Sequence, residues 1–340
     1  MMPRRWPAEW EPQTSIWLSW PHNSETWPGR FPFIPPAYTL FVRAVAEVLP
    51  VDLLVPQPQI EQAQAMVGKV PQVNLHLCPT NDCWIRDYGP TFVCEDSHLR
   101  GIDWGFNAWG GKYPPWEFDA AAAKRVCEVA GVTAESSPLV CEGGALETDG
   151  QGRLLTTPSC LITPTRNPGW TQAKIAAEFH QRLGIHEILW VDGGGLVGDD
   201  TDGHIDQLAR FVDPENVVCA VCDDLHDPNR EPLEANYRQL RIWGRQTDPP
   251  VNVHRLPIPP PRSIRGQRVP ESYCNFLIVD GRRVIVPQFA SGASDDEAVD
   301  ILQNLLPAME IYPLDASELA WGLGAFHCAS QQQPACGFCK

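Results

Sequence analysis

Short β-rich runs alternate with amphipathic helical runs along the whole chain, and the predicted strands outnumber the helices. The predicted strands cover residues 15–20, 51–55, 73–78, 99–104, 153–157, 187–191, 217–221, 276–279, 283–286 and 310–313. Helices are predicted at 38–48, 118–130, 171–183, 231–243 and 297–306, where apolar residues recur every three or four positions. Because more than one strand separates successive helices, an α/β fold of small mixed units in a cyclic arrangement fits better than a strictly alternating parallel sheet.

Two local patterns refine this prediction. Ser294 and Glu297 have the spacing of a capping box, which places the start of the last helix there. The Pro-rich stretch 249–270 is predicted to be a long loop rather than a linker between domains. The sequence therefore predicts one domain over residues 1–340, with poorly ordered tails at 1–8 and 334–340.

The charge of the chain limits its partners. The 42 acidic residues exceed the 26 basic ones, for a formal net charge of -16. Such a chain repels nucleic acid and anionic membranes and attracts small cations. No apolar run approaches the ~20 residues that span a bilayer. We therefore expect a small cationic partner, no nucleic acid and no membrane, and leave open a homo-oligomer.

The cysteines favour a reducing compartment. Twelve cysteines are too few for a disulfide scaffold of this length, and the basic start leads into WPAEWEPQ rather than an apolar signal segment. The prediction is a cytoplasmic chain with reduced thiols. The C-x-x-C pairs Cys219/Cys222 and Cys336/Cys339 lie too far apart for a compact zinc module, so neither is predicted to bind zinc or act in redox chemistry.

An acidic, glycine-rich segment with one histidine follows the strand predicted at 187–191. His204 and Asp206 stand two positions apart, so in an extended segment both side chains leave the same face and can act on one small ligand. Two other interpretations stay open. The segment could be a hydrogen-bonded surface loop, or His204 and the neighbouring aspartates could bind a divalent metal ion.

Three further segments carry reactive or cation-binding residue types. Trp84 and Asp87 stand close together, and an indole face beside a carboxylate can hold a flat cation, although a core tryptophan beside a surface ion pair is the alternative. Glu142 precedes two glycines that permit a tight turn. Cys328 follows a histidine and comes shortly before three glutamines. Taken alone, such a cysteine would normally be interpreted as a small buried apolar residue.

Taken together and in this order, the segments resemble the agmatine deiminase and bacterial peptidylarginine deiminase family, within the guanidino-group modifying superfamily. The resemblance is carried by RWPAEWEPQTSIWLSWP, NDCWIRDYGPTFV, DWGFNAWGGKYPPWEFD, EGGALETDGQGRLLTT, TDGHIDQLARFV, SYCNFLIVDGRRVIVPQF and FHCASQQQPA. Single matches would be weak, but seven in sequence order along nearly the whole chain are specific.

The resemblance implies a five-bladed α/β propeller of ββαβ units around a central active site. It also implies residue roles. By position in the matching motifs, Cys328 is the nucleophile, His204 the acid and base, and Glu142 the partner that orients His204. Asp87 and Asp206 correspond to the carboxylates that grip a guanidinium. Trp84 and Asp200 correspond to substrate contacts.

The chemistry of a guanidinium explains why these residue types are needed. The cation is resonance-stabilised, so it must be fixed by bidentate carboxylates while a thiolate approaches its central carbon. A bound cation or a protonated His204 would lower the pKa of Cys328. A covalent thiouronium intermediate on Cys328 would then be hydrolysed with His204 as base. No metal or organic cofactor is required.

The expected activity is hydrolysis of agmatine to N-carbamoylputrescine and ammonia, for polyamine and putrescine synthesis. Two departures put agmatine in question as the substrate. Members of the agmatine branch commonly carry Asn-Ile before His-Cys, whereas this chain has Ala325 and Phe326 there. They are also expected to carry a longer acidic residue at the position where this chain has Asp200. The alternatives are a deiminase of peptidyl-arginine or another substituted guanidine, the metal-dependent hydrolase built on His204, and a guanidine-binding protein without catalytic activity.

Overall fold

The apolar runs of the sequence form the strands of small mixed sheets, with helices packed beside them. A computed structural model describes residues 3–337. The strands, numbered along the chain, are β1 (Gln13–Ser19), β2 (Val51–Val55), β3 (Val73–Leu77), β4 (Thr91–Glu95), β5 (His98–Gly105), β6 (Thr133–Val140), β7 (Glu147–Thr148), β8 (Arg153–Thr156), β9 (Glu187–Trp190), β10 (Ala209–Asp213), β11 (Asn216–Val221), β12 (Asn252–Pro257), β13 (Ser263–Ile264), β14 (Gln267–Arg268), β15 (Leu277–Val279), β16 (Arg283–Gln288), β17 (Glu310–Asp315) and β18 (Ser330–Pro334). The helices are α1 (Ile34–Ala46), α2 (Ile60–Val67), α3 (Ile85–Tyr88), α4 (Ala108–Gly111), α5 (Glu117–Ala130), α6 (Pro158–Leu161), α7 (Gln172–Leu183), α8 (Arg230–Gly244) and α9 (Ala293–Leu305).

Five of the sheets in the described part repeat one connectivity. In the first complete example, β4 runs antiparallel to β5, and α5 then leads into β6, which is parallel to β5. The sheets β7-β8-β9, β10-β11-β12 and β15-β16-β17 have the same order, with α7, α8 and α9 as the connecting helices. In the remaining sheet, β18 from the far end of the chain pairs antiparallel with β1, and β2 and β3 follow in parallel. The chain is thus built from five similar units.

A short buried turn precedes the first strand of each unit. Four of these turns are helical, at Ile85–Tyr88, Gly143–Ala145, Ile205–Gln207 and Tyr273–Asn275, and all of their residues are buried. The fifth, at 326–329, leads into β18 and is also buried. Because the same point of every unit carries such a turn, side chains from distant parts of the sequence have equivalent places in the fold.

The predicted strands and long helices are present, with boundaries shifted by a few residues. Most of the strands that the sequence failed to predict are polar or short, and β6, β12 and β18 are examples. The buried strands β4 and β10 were also missed, although each contains apolar residues. The strand β18 is buried although its sequence is SQQQP, so no apolar pattern marks it. Only an apolar or alternating strand can be recognised by periodicity.

Two sequence predictions about local structure are wrong. The last helix begins at Ala293 after Gly292, so Ser294 lies inside the helix and does not cap it. The Pro-rich stretch 249–270 is not a single loop, because it contains β12 and the hairpin of β13 with β14. The strand β12 pairs with the buried strand β11, and this tertiary contact overrides the weak propensity of its sequence.

The described parts of the expected tails, residues 3–8 and 334–337, make specific contacts. Arg5 and Cys94 exchange two backbone hydrogen bonds of 2.9 and 2.8 Å, and Trp6 is buried. Pro334 pairs with Gln13 at the edge of β1. Cys336 forms a disulfide with Cys94, which corrects the expectation that all thiols are reduced, and its C-x-x-C partner Cys339 lies outside the described residues.

Within residues 3–337, no helix is both long and apolar enough to cross a membrane. The apolar side chains instead pack between helices and sheets. In one of the clusters, Phe179 of α7 is fully buried and meets the edge of the Trp104 ring, with ring centroids 6.0 Å apart.

Replacing Phe179 tests how much this packing contributes. We expect Phe179→Ala to lower the free energy of unfolding by about 3–5 kcal/mol, because it removes buried apolar area and leaves a cavity. The matched control is Phe118→Ala, since Phe118 is 53% exposed and its loss should change stability by less than about 0.5 kcal/mol. Urea denaturation of both variants measures the difference, and equal losses would contradict the packing described here.

Candidate active site

Cys328 lies at the wall of a cavity of about 330 Å³ that also includes Asp87, Trp84 and Asp200 in its lining. The turn that carries Cys328 is held by Asn275, whose side-chain oxygen accepts backbone N–H bonds from Ala325 at 3.2 Å and Cys328 at 3.3 Å. The amide nitrogen of Asn275 donates to the sulfur of Cys328 at 3.2 Å. One buried amide thus fixes both the backbone and the sulfur of this cysteine.

Asp206 lies beside that sulfur and has one free oxygen. Its Oδ2 is 2.7 Å from Nδ1 of His327 and 3.7 Å from the sulfur of Cys328. The other ring nitrogen of His327 is 2.9 Å from Oε2 of Glu9, which also pairs with Arg210 at 3.0 Å. Oδ1 of Asp206 is buried without a hydrogen-bond partner. A buried carboxylate oxygen in that state is ready to accept a bond from a ligand.

Asp87 approaches the same place from α3. Its Oδ2 accepts the indole N–H of Trp109 at 2.9 Å, and its Oδ1 accepts the backbone N–H of Gly144 at 3.1 Å. Oδ1 is also 3.6 Å from Nδ1 of His204. Burial, the largest influence, raises the pKa of Asp87 to about 6, although the charge of His204 opposes this. The carboxyl group is therefore ionised near neutral pH and protonated in mild acid.

His204 lies between Asp87 and Glu142. Its Nε2 is 3.8 Å from Oε2 of Glu142, and neither ring nitrogen has a hydrogen-bond partner. Burial opposes the charged imidazole, but the charge of Asp87 and the polar contacts to Cys160 and Glu142 outweigh it and raise the pKa of His204 well above its usual value. His204 is thus protonated at neutral pH and can serve as a proton donor.

Glu142 is kept ionised by an arginine. Nε of Arg166 donates to its Oε1 at 2.7 Å, and both side chains are fully buried. Burial by itself would raise the pKa of Glu142, but His204 and Arg166 lower it to about 2. Arg166 in turn pairs with Asp202 at 2.6 Å. These contacts fix the orientation of the carboxylate beneath His204.

Gly144 is required by the crowding of these groups. A Cβ at this position would lie 2.6 Å from Nδ1 of His204, 2.8 Å from Oδ1 of Asp87 and 3.1 Å from Oδ2 of Asp206. These three atoms therefore converge on one point, and any larger residue would push them apart. The glycine that the sequence indicated only as a turn former thus lets these three side chains approach one another.

Trp84 and Asp200 line the same cavity as Asp87 and Cys328. The Trp84 ring packs on the segment before His327, where a Cβ on Gly324 would lie 2.6 Å from the ring and a Cβ on Gly322 would lie 2.8 Å from it. The hydroxyl of Tyr113 donates to Asp200. Burial raises the pKa of Asp200, and the bond from Tyr113 opposes this. The indole of Trp84 thus lies along the cavity, and Asp200 adds an acidic group to its lining.

The structure brings Cys328, His204, Asp87, Asp206 and Glu142 together, and each comes from a turn that precedes the first strand of a unit or from its flank. The turn before β15 contributes Asn275, which the sequence analysis did not single out. Trp109, Arg166 and Cys160 were also missed. Asn275 stands in the SYCNFL segment that carries part of the resemblance, and that position was its only signal.

The positions of the side chains bear on the hypothesis that His204 and the neighbouring aspartates bind a divalent metal ion. Within residues 3–337, the group of three metal-ligating side chains whose donor atoms lie within 4.8 Å of one another is Glu142, Cys160 and His204. The neighbouring residues Asp199 and Asp202 do not join His204 in such a group. A metal-dependent hydrolase built on His204 and those aspartates is therefore not supported.

The contact between Asn275 and Cys328 can be tested without a substrate. We expect Asn275→Ala to slow alkylation of Cys328 by iodoacetamide about tenfold or more at pH 8, because a lost hydrogen bond to a charged acceptor is worth about 1.5–3 kcal/mol and raises the thiol pKa. Mass spectrometry of the Cys328 peptide measures the rate. Asn236→Ala is the control, since Asn236 is buried but bonds Gly193 and Gly194. An unchanged rate in Asn275→Ala would contradict the assigned contact.

Comparison with known proteins agrees with the resemblance seen in the motifs. The family model for Porphyromonas-type peptidyl-arginine deiminase matches residues 5–334. The agmatine deiminases of Pseudomonas syringae pv. tomato and Pseudomonas aeruginosa are 35% and 36% identical to this chain, over 97% of this chain and 95% of each relative. A solved structure of the Enterococcus faecalis agmatine deiminase superposes with a TM-score of 0.93 at 30% identity and covers 98% of this chain and 96% of that one. The chain therefore belongs to the Porphyromonas-type peptidyl-arginine deiminase family.

Proposed function

We propose that this protein is an agmatine deiminase, a hydrolase of carbon–nitrogen bonds that converts agmatine to N-carbamoylputrescine and ammonia. The observation that carries the proposal is that Asp87 and Cys328 line one cavity, while the buried carboxylate of Asp206 lies 3.7 Å from the sulfur of Cys328. The full-length similarity to agmatine deiminases supports the same substrate.

The two carboxylates are suited to a guanidinium because it presents N–H donors in a plane. Asp206 offers Oδ1, which has no partner within the protein. Asp87 reaches the same region, and its two existing bonds from Trp109 and Gly144 fix its orientation. Charge-assisted hydrogen bonds to both carboxylates would hold the cation with its central carbon facing Cys328.

Binding of the cation also activates the nucleophile. Burial and then the charges of Asp206 and Asp87 raise the pKa of Cys328 well above its usual value, so the free protein holds a neutral thiol. A bound guanidinium offsets both carboxylate charges, which favours release of the thiol proton to solvent. The thiolate would thus form when the substrate arrives, which limits reaction of the cysteine with other electrophiles.

The remaining steps use His204. The thiolate forms a bond to the guanidinium carbon, and the imidazolium of His204 protonates the departing amine, so the carbon–nitrogen bond breaks and ammonia leaves. Neutral His204 then takes a proton from water, whose oxygen attacks the thiouronium carbon. The carbon–sulfur bond breaks, and the ureido product and Cys328 are released. Glu142 keeps His204 oriented throughout.

The outer part of the cavity fits the rest of agmatine. We assign Trp84 to the methylene chain, because its ring lies along the cavity. We assign Asp200 to the terminal ammonium, because its carboxyl is held by Tyr113 at the same cavity. Arg265 and Arg268 also line this end. Those two cations favour peptidyl-arginine, with its carbonyl groups, as the second candidate substrate.

We further propose that the five repeated sheets are the blades of a single five-bladed α/β propeller domain. The shared connectivity and the equivalent turns before β4, β7, β10, β15 and β18 support this arrangement. Such a propeller would place all five turns around one axis, with the cavity at its centre. We also propose a role in putrescine synthesis and a cytoplasmic location, where the Cys94–Cys336 pair would be kept reduced. We leave open whether the protein forms a homo-oligomer.

Removing the nucleophile tests the proposed reaction. We expect Cys328→Ala to lower kcat for agmatine by several orders of magnitude, because no covalent intermediate can form. Cys274→Ala is the control, since Cys274 is buried next to Asn275 but bonds no proposed reacting atom. Ureido product is assayed from agmatine, free arginine and an arginyl peptide, with and without EDTA. Absence of product from every guanidine would refute the deiminase, and loss of activity in EDTA would favour a metal-dependent hydrolase.

The pKa of Asp87 gives a pH dependence. Because Asp87 must be ionised to hold the cation and its pKa is raised to about 6, we expect kcat/KM for agmatine to fall as the pH drops through about 6, approaching tenfold per pH unit below it. The dependence of kcat should lie at lower pH, since a bound cation favours the ionised carboxylate. A kcat/KM that stays constant down to pH 5 would contradict the role of Asp87.

A further inference from the structure

A buried thiol that the proposed reaction does not use lies behind His204. Cys160, on the short helix α6, has its sulfur 3.5 Å from Oε2 of Glu142. The same carboxylate oxygen is 3.8 Å from Nε2 of His204. The three donor atoms all lie within 4.8 Å of one another, and all three side chains are buried. Sulfur, nitrogen and oxygen donors therefore face one small space.

Of the three side chains, Cys160 and Glu142 share one hydrogen bond, whereas His204 has none. Both ring nitrogens of His204 are buried without a hydrogen-bond partner. Glu142 is anchored through its other oxygen, which accepts a bond from Arg166 at 2.7 Å. Its second oxygen, Oε2, accepts the Cys160 thiol at 3.5 Å, a bond that a metal ion would replace. Fixing one carboxylate oxygen by an outer partner while the second faces the ion is how metal-ligating carboxylates are commonly oriented.

We propose that Cys160, His204 and Glu142 form a binding site for a thiophilic divalent cation such as Zn²⁺. Zinc binds sulfur at about 2.3 Å, imidazole nitrogen at about 2.0–2.1 Å and carboxylate oxygen at about 2.0–2.2 Å. Those bond lengths separate neighbouring ligand atoms by roughly 3.3–3.7 Å in a tetrahedral site. The sulfur–oxygen distance of 3.5 Å lies in this range, and the nitrogen–oxygen distance of 3.8 Å would shorten slightly on binding. A thiolate with an imidazole selects zinc over magnesium or calcium, which prefer oxygen ligands.

Charge and proton balance are compatible with this site. On binding, Cys160 and His204 each release a proton to solvent, and no group is oxidised or reduced. Once both protons have left, Cys160, Glu142 and the nearby Asp87 are negatively charged, and Arg166 is positively charged. A divalent ion therefore adds positive charge where negative charge is in excess. Because protons compete with the metal, binding should tighten as the pH rises.

Occupancy would inhibit the enzyme. With Nε2 bound to the metal, His204 could no longer carry the second proton that the departing amine requires. This consequence rests on the proposed deiminase function, whereas metal binding itself does not. The site is therefore inhibitory and differs from a catalytic metal centre, in which the ion activates water or substrate.

The binding experiment uses Cd²⁺ as a probe, because its thiolate bond gives an ultraviolet charge-transfer band. Cd²⁺ is titrated into the full-length wild-type protein and into the variants Cys160→Ser, Cys141→Ala and Cys328→Ala. Equilibrium dialysis separately measures how much Zn²⁺ each protein binds. We expect one ion and the band in wild type, in Cys141→Ala and in Cys328→Ala. Cys160→Ser is isosteric, and we expect it to lose the band and to bind zinc about 100-fold more weakly.

Two results would overturn the proposal. One is the absence of a bound ion and band in the wild-type protein. The other is a band that persists in Cys160→Ser and disappears in Cys328→Ala, which would assign the ion to the nucleophile. Because Cys328→Ala cannot turn over substrate, binding in that variant is judged separately from the deiminase function. Inhibition is tested by measuring agmatine turnover with and without Zn²⁺. The ratio of the two rates is determined for wild type and for Cys160→Ser.

Discussion

A cluster of ionisable side chains can be buried beside a thiol only if nearly every polar atom has a partner. In this protein the carboxylates of the site receive partners from the rest of the chain, whereas both ring nitrogens of His204 and Oδ1 of Asp206 have none. Arg166 neutralises Glu142, Trp109 and Gly144 hold Asp87, and His327 connects Asp206 to a buried glutamate and arginine pair. These partners lie behind the carboxylates, so the free oxygen of Asp206 is left for a ligand.

The repeated architecture explains how such distant residues meet. Each of the five units begins with a buried turn before its first strand, and the site takes at least one side chain from each turn or its flank. Each unit therefore contributes at least one position to the site while its sheet and helix supply the core. Function can then differ among the five turns without any change of fold, because the turns carry different chemistry: carboxylates, an imidazole, an amide and a thiol.

Sequence reasoning predicted most of the strands that are apolar or alternating, though not β4 and β10, and the helices with a regular apolar face. It missed β6 and β18, whose stabilisation comes from pairing rather than from apolar side chains. The order of motifs indicated Cys328, His204 and Asp206, because their residue types are the ones the chemistry needs. Asn275 and Arg166 could not be found in that way, since an asparagine or arginine acquires its role only from which atoms the fold places beside it. The disulfide of Cys94 with Cys336 joins positions whose proximity no spacing reveals.

The most direct test of the central claim is a crystal structure of Cys328→Ala with agmatine bound. The account predicts that the guanidinium lies between Asp87 and Asp206, with Oδ1 of Asp206 accepting one of its N–H groups and its carbon facing residue 328. The ammonium should lie toward Asp200. A guanidinium bound elsewhere, or an inverted agmatine with its ammonium at Asp206, would contradict the account.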